Sequence, residues 1–555
     1  MKSAGIFFSA RLWTGLAFVL GVMPLCLSST EMWDGVVGIH ALTSGDWTPL
    51  KGWMLDSNWY LTYGLFLLAD ALHQLTALPY WVLFKLWIIL MIIGIACEVH
   101  QLALDVFEVP ASIARWMPAL IFSFPLWYVF FSYTPMLGHL TCVWLALLGY
   151  RWLHKDSKWQ VAGGVVFVAM SFQLASNCAF ILALELGRWL LCKDKVSWRY
   201  GRSACLLLLA LGIFAATRVV WPPVGTYLGY NRFLNPLLMA SWVAYAKYAA
   251  LFGTWLVLVM PVIAGFWWTF AKRDRSIPVL QKIVGHPASV GAVLVFLMFS
   301  ACLPYIAVGV GSPLFVLHLS SPVSVSAVLA SNSASGSVSV WYGGWGARHI
   351  LLMMIPLALF AGWLASVGQS IIAPCSRDLC MTWGGAFVAM VCLGLGFGVS
   401  GHWVKLQRIA KEHAVVQALA VKPQLPHGQV DLVLDRHVDY LGYIYETNYL
   451  LYGAYKGTHW AALMLPDVPA VKAWGDEHRR LTLNQTQATR PMIAKLNLMF
   501  DYSWTDNCKT VAKISLPKLN AWDVLWRAEH SPERLPAAKI MPVSSNCLGA
   551  NSFWR

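Results

Sequence analysis

Long apolar stretches separated by short polar loops occupy about the first 400 residues of this chain. Segments of about 20 apolar residues with few charges are typical of membrane-spanning helices. The pattern predicts eleven spans, at about residues 7–27, 79–98, 116–132, 138–153, 160–177, 178–192, 203–221, 247–270, 288–311, 349–368 and 384–403. We therefore expect an all-α polytopic membrane domain.

Positive charge is unevenly distributed among the loops. The positive-inside rule places the amino terminus, with Lys2 and Arg11, in the cytoplasm. In that orientation the inner loops carry the basic clusters, at Arg151, Lys155, Lys158, Arg188, Lys193, Lys195, Arg199, Arg202, Lys272, Arg273, Arg275 and Lys282. The outer loops carry little more than Lys51, Arg232 and Arg348. The inner loop around Asp105, Glu108 and Arg115 shows no such bias.

The composition changes near residue 404 to that of a water-soluble domain. Alternating runs such as Val430 to Leu434 indicate strands, and an odd number of spans places this part outside. We therefore divide the chain into a membrane domain, 1–403, and a small α/β outer domain, 404–555. This predicts a multi-pass protein of the bacterial inner membrane with its carboxyl-terminal domain in the periplasm. Cys508 and Cys547 lie in that domain, and the sequence leaves open whether they pair.

The overall composition supports this class. The chain is 58% hydrophobic and 12% charged, so most of its length requires lipid as its surroundings. Its formal net charge of +14 comes mainly from the short loops between apolar spans. We read this charge as topological bias and expect no nucleic-acid partner.

The first outer loop, residues 29–78, is too long for a turn and too apolar for a free linker. It contains two amphipathic pieces, at about 31–44 and 57–75, separated by Gly45-Asp-Trp-Thr-Pro49. The pattern predicts two helices in the membrane interface that form a roof over a cavity between the spans. A lipid-linked substrate could enter this cavity sideways from the bilayer.

Acidic residues in this loop are the first candidates for chemistry. If this segment is helical, Glu31 and Asp34 fall on one face, where they either act on a substrate or cap the helix amino end. Asp46 is expected to organise the turn between the helices. Asp56 either caps a helix or contacts an acceptor.

Basic and aromatic residues supply the candidates for substrate binding. Arg348, next to Gly343-Gly-Trp-Gly346, either holds a phosphate or anchors its span at the headgroups. Lys85 and Lys247, near span ends, are expected to extend towards the headgroups, and Lys247 could also reach a phosphate. His349 is either a structural hydrogen-bonding residue or a ligand, and Trp33 is a candidate sugar platform.

The string Thr30-Glu31-Met-Trp-Asp-Gly, followed by Gly45-Asp46-Trp47-Thr48-Pro49, resembles the first outer loop of polytopic GT-C glycosyltransferases. It is most similar to the lipid A aminoarabinose transferases and their protein O-mannosyltransferase relatives. The resemblance implies that an acidic residue acts on an acceptor that displaces a polyprenyl phosphate. Glu31 matches the second member of the family's acidic pair, whereas Thr30 takes the first place and leaves Asp34 as a substitute. The segment Gly346 to Pro356 resembles the family's basic segment before a late span, which implies that Arg348 contacts the lipid phosphate.

Two departures from the family pattern concern the substrate pocket. His139 stands where the family often has an Asp, and Ser171 to Asn177 replaces a Lys-Gly-Pro segment. The substrate pocket is therefore expected to have diverged. The resemblance as a whole implies a glycosyltransferase with a polyprenyl-phosphate sugar donor and a periplasmic glycan, glycolipid or protein acceptor. No cofactor is expected, and a phosphate leaving group requires no metal in principle, although the sequence leaves open whether a metal assists. The alternatives are a lipid or glycan flippase or transporter, and a non-catalytic envelope assembly protein.

Overall fold

The structure is a computed structural model, and it describes residues 9–26, 28–29, 34–55, 59–131, 135–174, 176–191, 197–221, 254–271, 347–371, 377–420, 428–434, 460–465 and 509–545. Among these residues, four helical segments are long and apolar enough to cross a membrane, at Tyr80–Asp105, Gly201–Val220, Ile350–Val367 and Trp383–Val415. Shorter apolar helical segments lie at Ala10–Leu25, Ala111–Phe122 and Trp255–Phe266. The prediction of a helical membrane protein is therefore confirmed at this level. The count of eleven spans stays a prediction, and the span expected at 288–311 lies outside the described residues.

The main helices follow the predicted apolar segments. The first, α1 (Ala10–Ala17), continues as a π-helix over Phe18–Val22 and a 3-10 turn over Met23–Leu25. The other main helices are α2 (Asp34–Ser44), α3 (Tyr60–Thr76), α4 (Tyr80–Asp105), α5 (Met136–Leu153), α6 (Lys158–Ser171), α7 (Ser176–Leu191), α8 (Ser197–Val220), α9 (Met260–Ala271), α10 (Ala347–Ile371) and α11 (Arg377–Ala420).

One predicted span is interrupted. The segment expected to be a continuous span over 116–132 forms two short helices, Met117–Phe122 and Trp127–Phe131. Pro125 lies between them and has no backbone N–H to donate to a helix. The indole Nε1 of Trp127 donates to the carbonyl of Ile121 at 2.9 Å, which bridges the break.

Helix α5 lies against both α4 and α6. At the α5–α6 crossing, Gly149 and Gly164 allow the two backbones to approach closely. A Cβ built on either glycine would lie 2.9 Å from the carbonyl oxygen of the other. Small residues at such crossings are typical of helix packing in membranes.

A polar network joins α4 and α5 at the predicted inner end. Arg151 donates to both carboxylate oxygens of Glu98, at 2.7 and 3.1 Å. Lys155 donates to Asp105 at 2.8 Å. The Asp105 loop therefore lies on the same side as the basic loop after α5, although its own sequence showed no positive bias.

The described residues of the carboxyl-terminal part include four strands, β1 (Gly428–Leu434), β2 (Trp460–Leu465), β3 (Lys509–Ser515) and β4 (Lys539–Ser545). They form one sheet in the order β2-β1-β3-β4, in which only the β3–β4 pairing is antiparallel. Helix α11 is continuous through residue 404, where the domain boundary was predicted. The division into two domains stays a prediction.

Part of this carboxyl-terminal region packs on the end of α11. Val524, Ala528 and Leu535 form a small apolar cluster with Ala410 of that helix. The backbone N–H of Ala538 also donates to the carbonyl of Ala414 at 3.2 Å. These contacts fix the segment 520–538 at the carboxyl-terminal end of α11.

Candidate functional site

The first outer loop contains the two helices that its amphipathic pattern predicted. The pieces expected at 31–44 and 57–75 are helical at Asp34–Ser44 (α2) and Tyr60–Thr76 (α3). Between them, the carboxylate of Asp46 accepts a hydrogen bond from the backbone N–H of Thr48 at 3.0 Å. This bond confirms that Asp46 helps to organise the turn.

The structure describes only some of the predicted site residues. Asp34 is the first residue of α2, and Arg348 and His349 lie in the first turn of α10. Both helices contact α4. Glu31, Trp33, Asp56 and Lys247 lie outside the described residues. A shared cavity for the acidic residues and Arg348 therefore stays a prediction.

Lys85 differs from its prediction. Its side chain was expected to extend to the headgroups, but the residue is only 3% exposed. The ammonium donates to the carbonyl of Leu25 at 3.0 Å and also to the carbonyl of Ser28. The prediction that Lys85 extends to the headgroups is wrong, because the end of the first helix supplies hydrogen-bond acceptors inside the fold. Lys85 thus holds the segment that leads directly to Glu31.

A second contact holds the same segment from the distant end of the chain. One carboxylate oxygen of Glu529 accepts the backbone N–H of Ser29 at 2.6 Å and also the Ser29 hydroxyl. The other oxygen accepts the hydroxyl of Ser28 at 3.2 Å. Residues 28–29 are therefore bound by a cation from α4 and by a carboxylate from the carboxyl-terminal segment.

A cavity of about 220 Å³ lies between the start of α3, the end of α6 and the end of α8. Its polar lining includes Tyr60, Gln173 and Arg218. The Nη1 atom of Arg218 is buried and has no hydrogen-bond partner among the described residues. The guanidinium lies over the ring of Phe214, 5.1 Å from its centroid.

Sequence reasoning missed Arg218, although one signal was present. The side chain lies near the end of an otherwise apolar span, on the side predicted to be outer. A charged residue inside an apolar span is a functional candidate by default. The cavity itself depends on how three helices meet, which no local pattern records.

A compact polar cluster at the predicted inner end was also missed. Glu185 of α7 accepts hydrogen bonds from the Tyr150 hydroxyl at 2.6 Å, from Arg188 at 2.7 Å and from the Ser203 hydroxyl at 2.6 Å. Glu185 and Arg188 are both buried. The cluster thus joins α5, α7 and α8 through one carboxylate.

His154, just after α5, lies beside this cluster. Its Nδ1–H donates to the carbonyl of Tyr150 at 2.9 Å, and its Nε2 is 3.8 Å from Glu185. Burial, together with the nearby positive charge of Arg188, lowers the pKa of His154 from 6.5 to about 4. The imidazole is therefore neutral at pH 7, and its contact with Glu185 is not an ion pair there.

The described residues contain no group of three or more His, Cys, Asp or Glu side chains placed to hold a metal ion. Comparison of the chain with protein-family models, with curated proteins and with solved structures gives no significant match.

Proposed function

We propose that this protein is a membrane glycosyltransferase that moves a sugar from a polyprenyl-phosphate donor to a periplasmic glycan, glycolipid or protein. Its site would lie under the first outer loop, at the outer face of the bacterial inner membrane. The family resemblance of that loop suggested the proposal.

The chemistry needs few groups. A carboxylate, Glu31 or Asp34, takes the proton from an acceptor hydroxyl or amine while that atom attacks the anomeric carbon. The bond from the anomeric carbon to the phosphate oxygen breaks, and the polyprenyl phosphate leaves with that electron pair. Arg348 would stabilise the departing phosphate as a fixed cation. A single displacement of this kind inverts the anomeric centre.

The folded outer loop is the observation that carries the proposal. The Asp46 turn follows the first of its two helices, and the two residues before Thr30 and Glu31 are held by Lys85 and Glu529. A catalytic base needs a fixed position to be effective. These contacts supply a reason why the segment at Glu31 would be held in place.

The same contacts support the proposed topology. Ser29 and Glu529 are hydrogen-bonded, so they must lie on one side of the bilayer. An even number of spans must then separate them. The eleven-span prediction meets this condition, because ten spans follow the first. The carboxyl-terminal segment would thus share the periplasmic side with the loop.

The charges along α4 do not form the path that would support the transporter alternative. Lys85 and Glu98 are thirteen residues apart on this helix, which is about 20 Å. The residues between them are uncharged and almost all apolar. Transport of a charged substrate favours a charged path across the bilayer, and α4 offers none.

The decisive experiment measures sugar transfer by the purified chain against a panel of polyprenyl-phosphate sugars. Glu31→Gln and Asp34→Asn remove the candidate bases with little change in shape. Loss of the base should reduce the transfer rate by about 10²- to 10⁴-fold. Asp46→Asn is the matched control, because an Asn side chain can still accept the Thr48 N–H and keep the turn.

Two results would refute the proposal. Full activity in both Glu31→Gln and Asp34→Asn would remove the loop from the chemistry. No transfer by the parent chain from any donor in the panel would argue for the assembly-protein alternative.

A further inference from the structure

We propose that the cavity beside Arg218 binds the phosphate group of a lipid that enters from the surrounding bilayer. The proposal does not rest on glycosyl transfer, because lipid binding is measurable without it. It assigns a role to a charged side chain that the mechanism proposed above does not use.

The charge in the cavity favours an anion. Arg218 is the cation among the ten lining residues described, and none of them is acidic. Its Nη1 atom is buried without a hydrogen-bond partner among the described residues. A buried guanidinium N–H without an acceptor is costly, and a phosphate oxygen would satisfy it with a charge-assisted bond.

Further polar groups lie around the same space. The Gln173 side chain accepts the backbone N–H of Leu61 through Oε1, at 2.8 Å, which orients its amide. The N–H groups of that amide are then the part of Gln173 that can donate to a ligand. Tyr60 places a phenol at the wall formed by α3. The Gln173 amide is therefore a second donor beside the Arg218 guanidinium.

The apolar part of the cavity indicates that the anion belongs to a lipid. Val166, Met170 and Ile213 line the cavity and are exposed at the surface of α6 and α8. In a membrane such residues face acyl or prenyl chains. The cavity therefore presents a cation at one end and a lipid-facing apolar wall beside it.

The depth of the site suits a headgroup. Arg218 lies two residues before the end of α8, and Trp221 follows that helix. Tryptophan is enriched at the level of the headgroups, and lipid phosphates lie at the same level. Tyr60 belongs to the predicted outer loop, so the site would face the outer leaflet.

The test uses the full-length purified chain in detergent and native mass spectrometry to titrate lipids. The probes are a polyprenyl phosphate, the same polyprenol without phosphate, and phosphatidylglycerol. Arg218→Ala removes the cation, and Ile213→Trp fills the cavity while leaving Arg218 in place. Arg115→Ala removes an exposed arginine on the predicted inner side of the membrane and serves as the matched control.

We expect the parent to bind polyprenyl phosphate more tightly than polyprenol. Arg218→Ala should weaken phosphate-lipid binding by about 10- to 100-fold, as expected for a lost charge-assisted hydrogen bond. Ile213→Trp should weaken it by at least about tenfold, while Arg115→Ala leaves it unchanged. Equal competition by phosphatidylglycerol would identify a bilayer phospholipid as the occupant, and weak competition would identify the polyprenyl lipid.

Unchanged phosphate-lipid affinity in Arg218→Ala would overturn the proposal. So would equal affinity of the parent for polyprenol and polyprenyl phosphate, or normal binding in Ile213→Trp. The two proposals can fail separately, because lipid binding is measured on the parent and Arg218→Ala, whereas sugar transfer is measured on Glu31→Gln and Asp34→Asn.

Discussion

Stability between pH 4 and 7 should depend on His154. In the folded protein its imidazole is neutral, with Nδ1–H donated to Tyr150 and little exposure to water. Burial lowers its pKa to about 4, whereas in the unfolded chain the pKa is near the ordinary 6.5. Between these two pH values, His154 is therefore protonated in the unfolded state but not in the folded state.

The sign and size of the effect follow from proton linkage. Because the folded pKa is the lower one, the stability from neutral His154 is fully present above pH 6.5. It falls as the pH drops, by about 1.4 kcal/mol per unit, until the folded pKa is reached. Over the interval from 6.5 to about 4, the loss is about 3 kcal/mol.

The assay compares unfolding free energies of the parent and His154→Gln in mixed micelles at several pH values. Glutamine does not titrate, and its amide can still donate to the Tyr150 carbonyl. Protonation of carboxylates affects both proteins and cancels in their difference. The parent should lose about 3 kcal/mol more than the variant between pH 6.5 and 4. Parallel pH profiles for the two proteins would refute the buried, neutral histidine.

Three further predictions concern charged contacts. Glu185→Gln should lower the free energy of unfolding by about 3–5 kcal/mol, because Arg188 stays buried without its carboxylate. The exposed substitution Asp156→Asn is the control. A loss below about 1 kcal/mol in Glu185→Gln would contradict the prediction. Glu529→Ala should speed hydrogen exchange of the Ser29 amide by about tenfold, whereas exposed Glu533→Ala should not. Equal exchange in both variants would show that Glu529 does not hold Ser29 in place. Arg348→Ala should weaken donor binding by about one to two orders of magnitude. Arg348→Lys should be a poor substitute, because an ammonium lacks the paired N–H donors of the guanidinium. Unchanged donor affinity in folded Arg348→Ala would make Arg348 an interfacial anchor.

Local patterns in the sequence were enough to predict many of the helices. Apolar segments without charge have no stable alternative in lipid, because a helix satisfies its own backbone hydrogen bonds. The helices α2 and α3 were also predictable, because their amphipathic pattern placed them within about three residues of their observed starts. Asp46 was predictable too, because its bond to Thr48 spans only two residues.

Pro125 was a local signal for a helix break that the prediction of one span over 116–132 did not use. Its position inside an apolar run was visible, yet apolar character alone suggested an unbroken span. The structure divides that span into two helices on either side of the proline. Pro125 favours the break because proline cannot donate the hydrogen bond that a helix interior needs.

Only the tertiary structure decided which distant charges meet. Lys85 was read as a headgroup contact because its position in the span resembled a membrane boundary, whereas packing placed the end of the first helix over it. Glu529 reaches Ser29 across 500 residues of sequence, and Arg218 gains a cavity only where α3, α6 and α8 converge. Periodicity reports which side of a helix is apolar. It does not report which helix, carboxylate or carbonyl will lie opposite, because that depends on how the whole bundle packs.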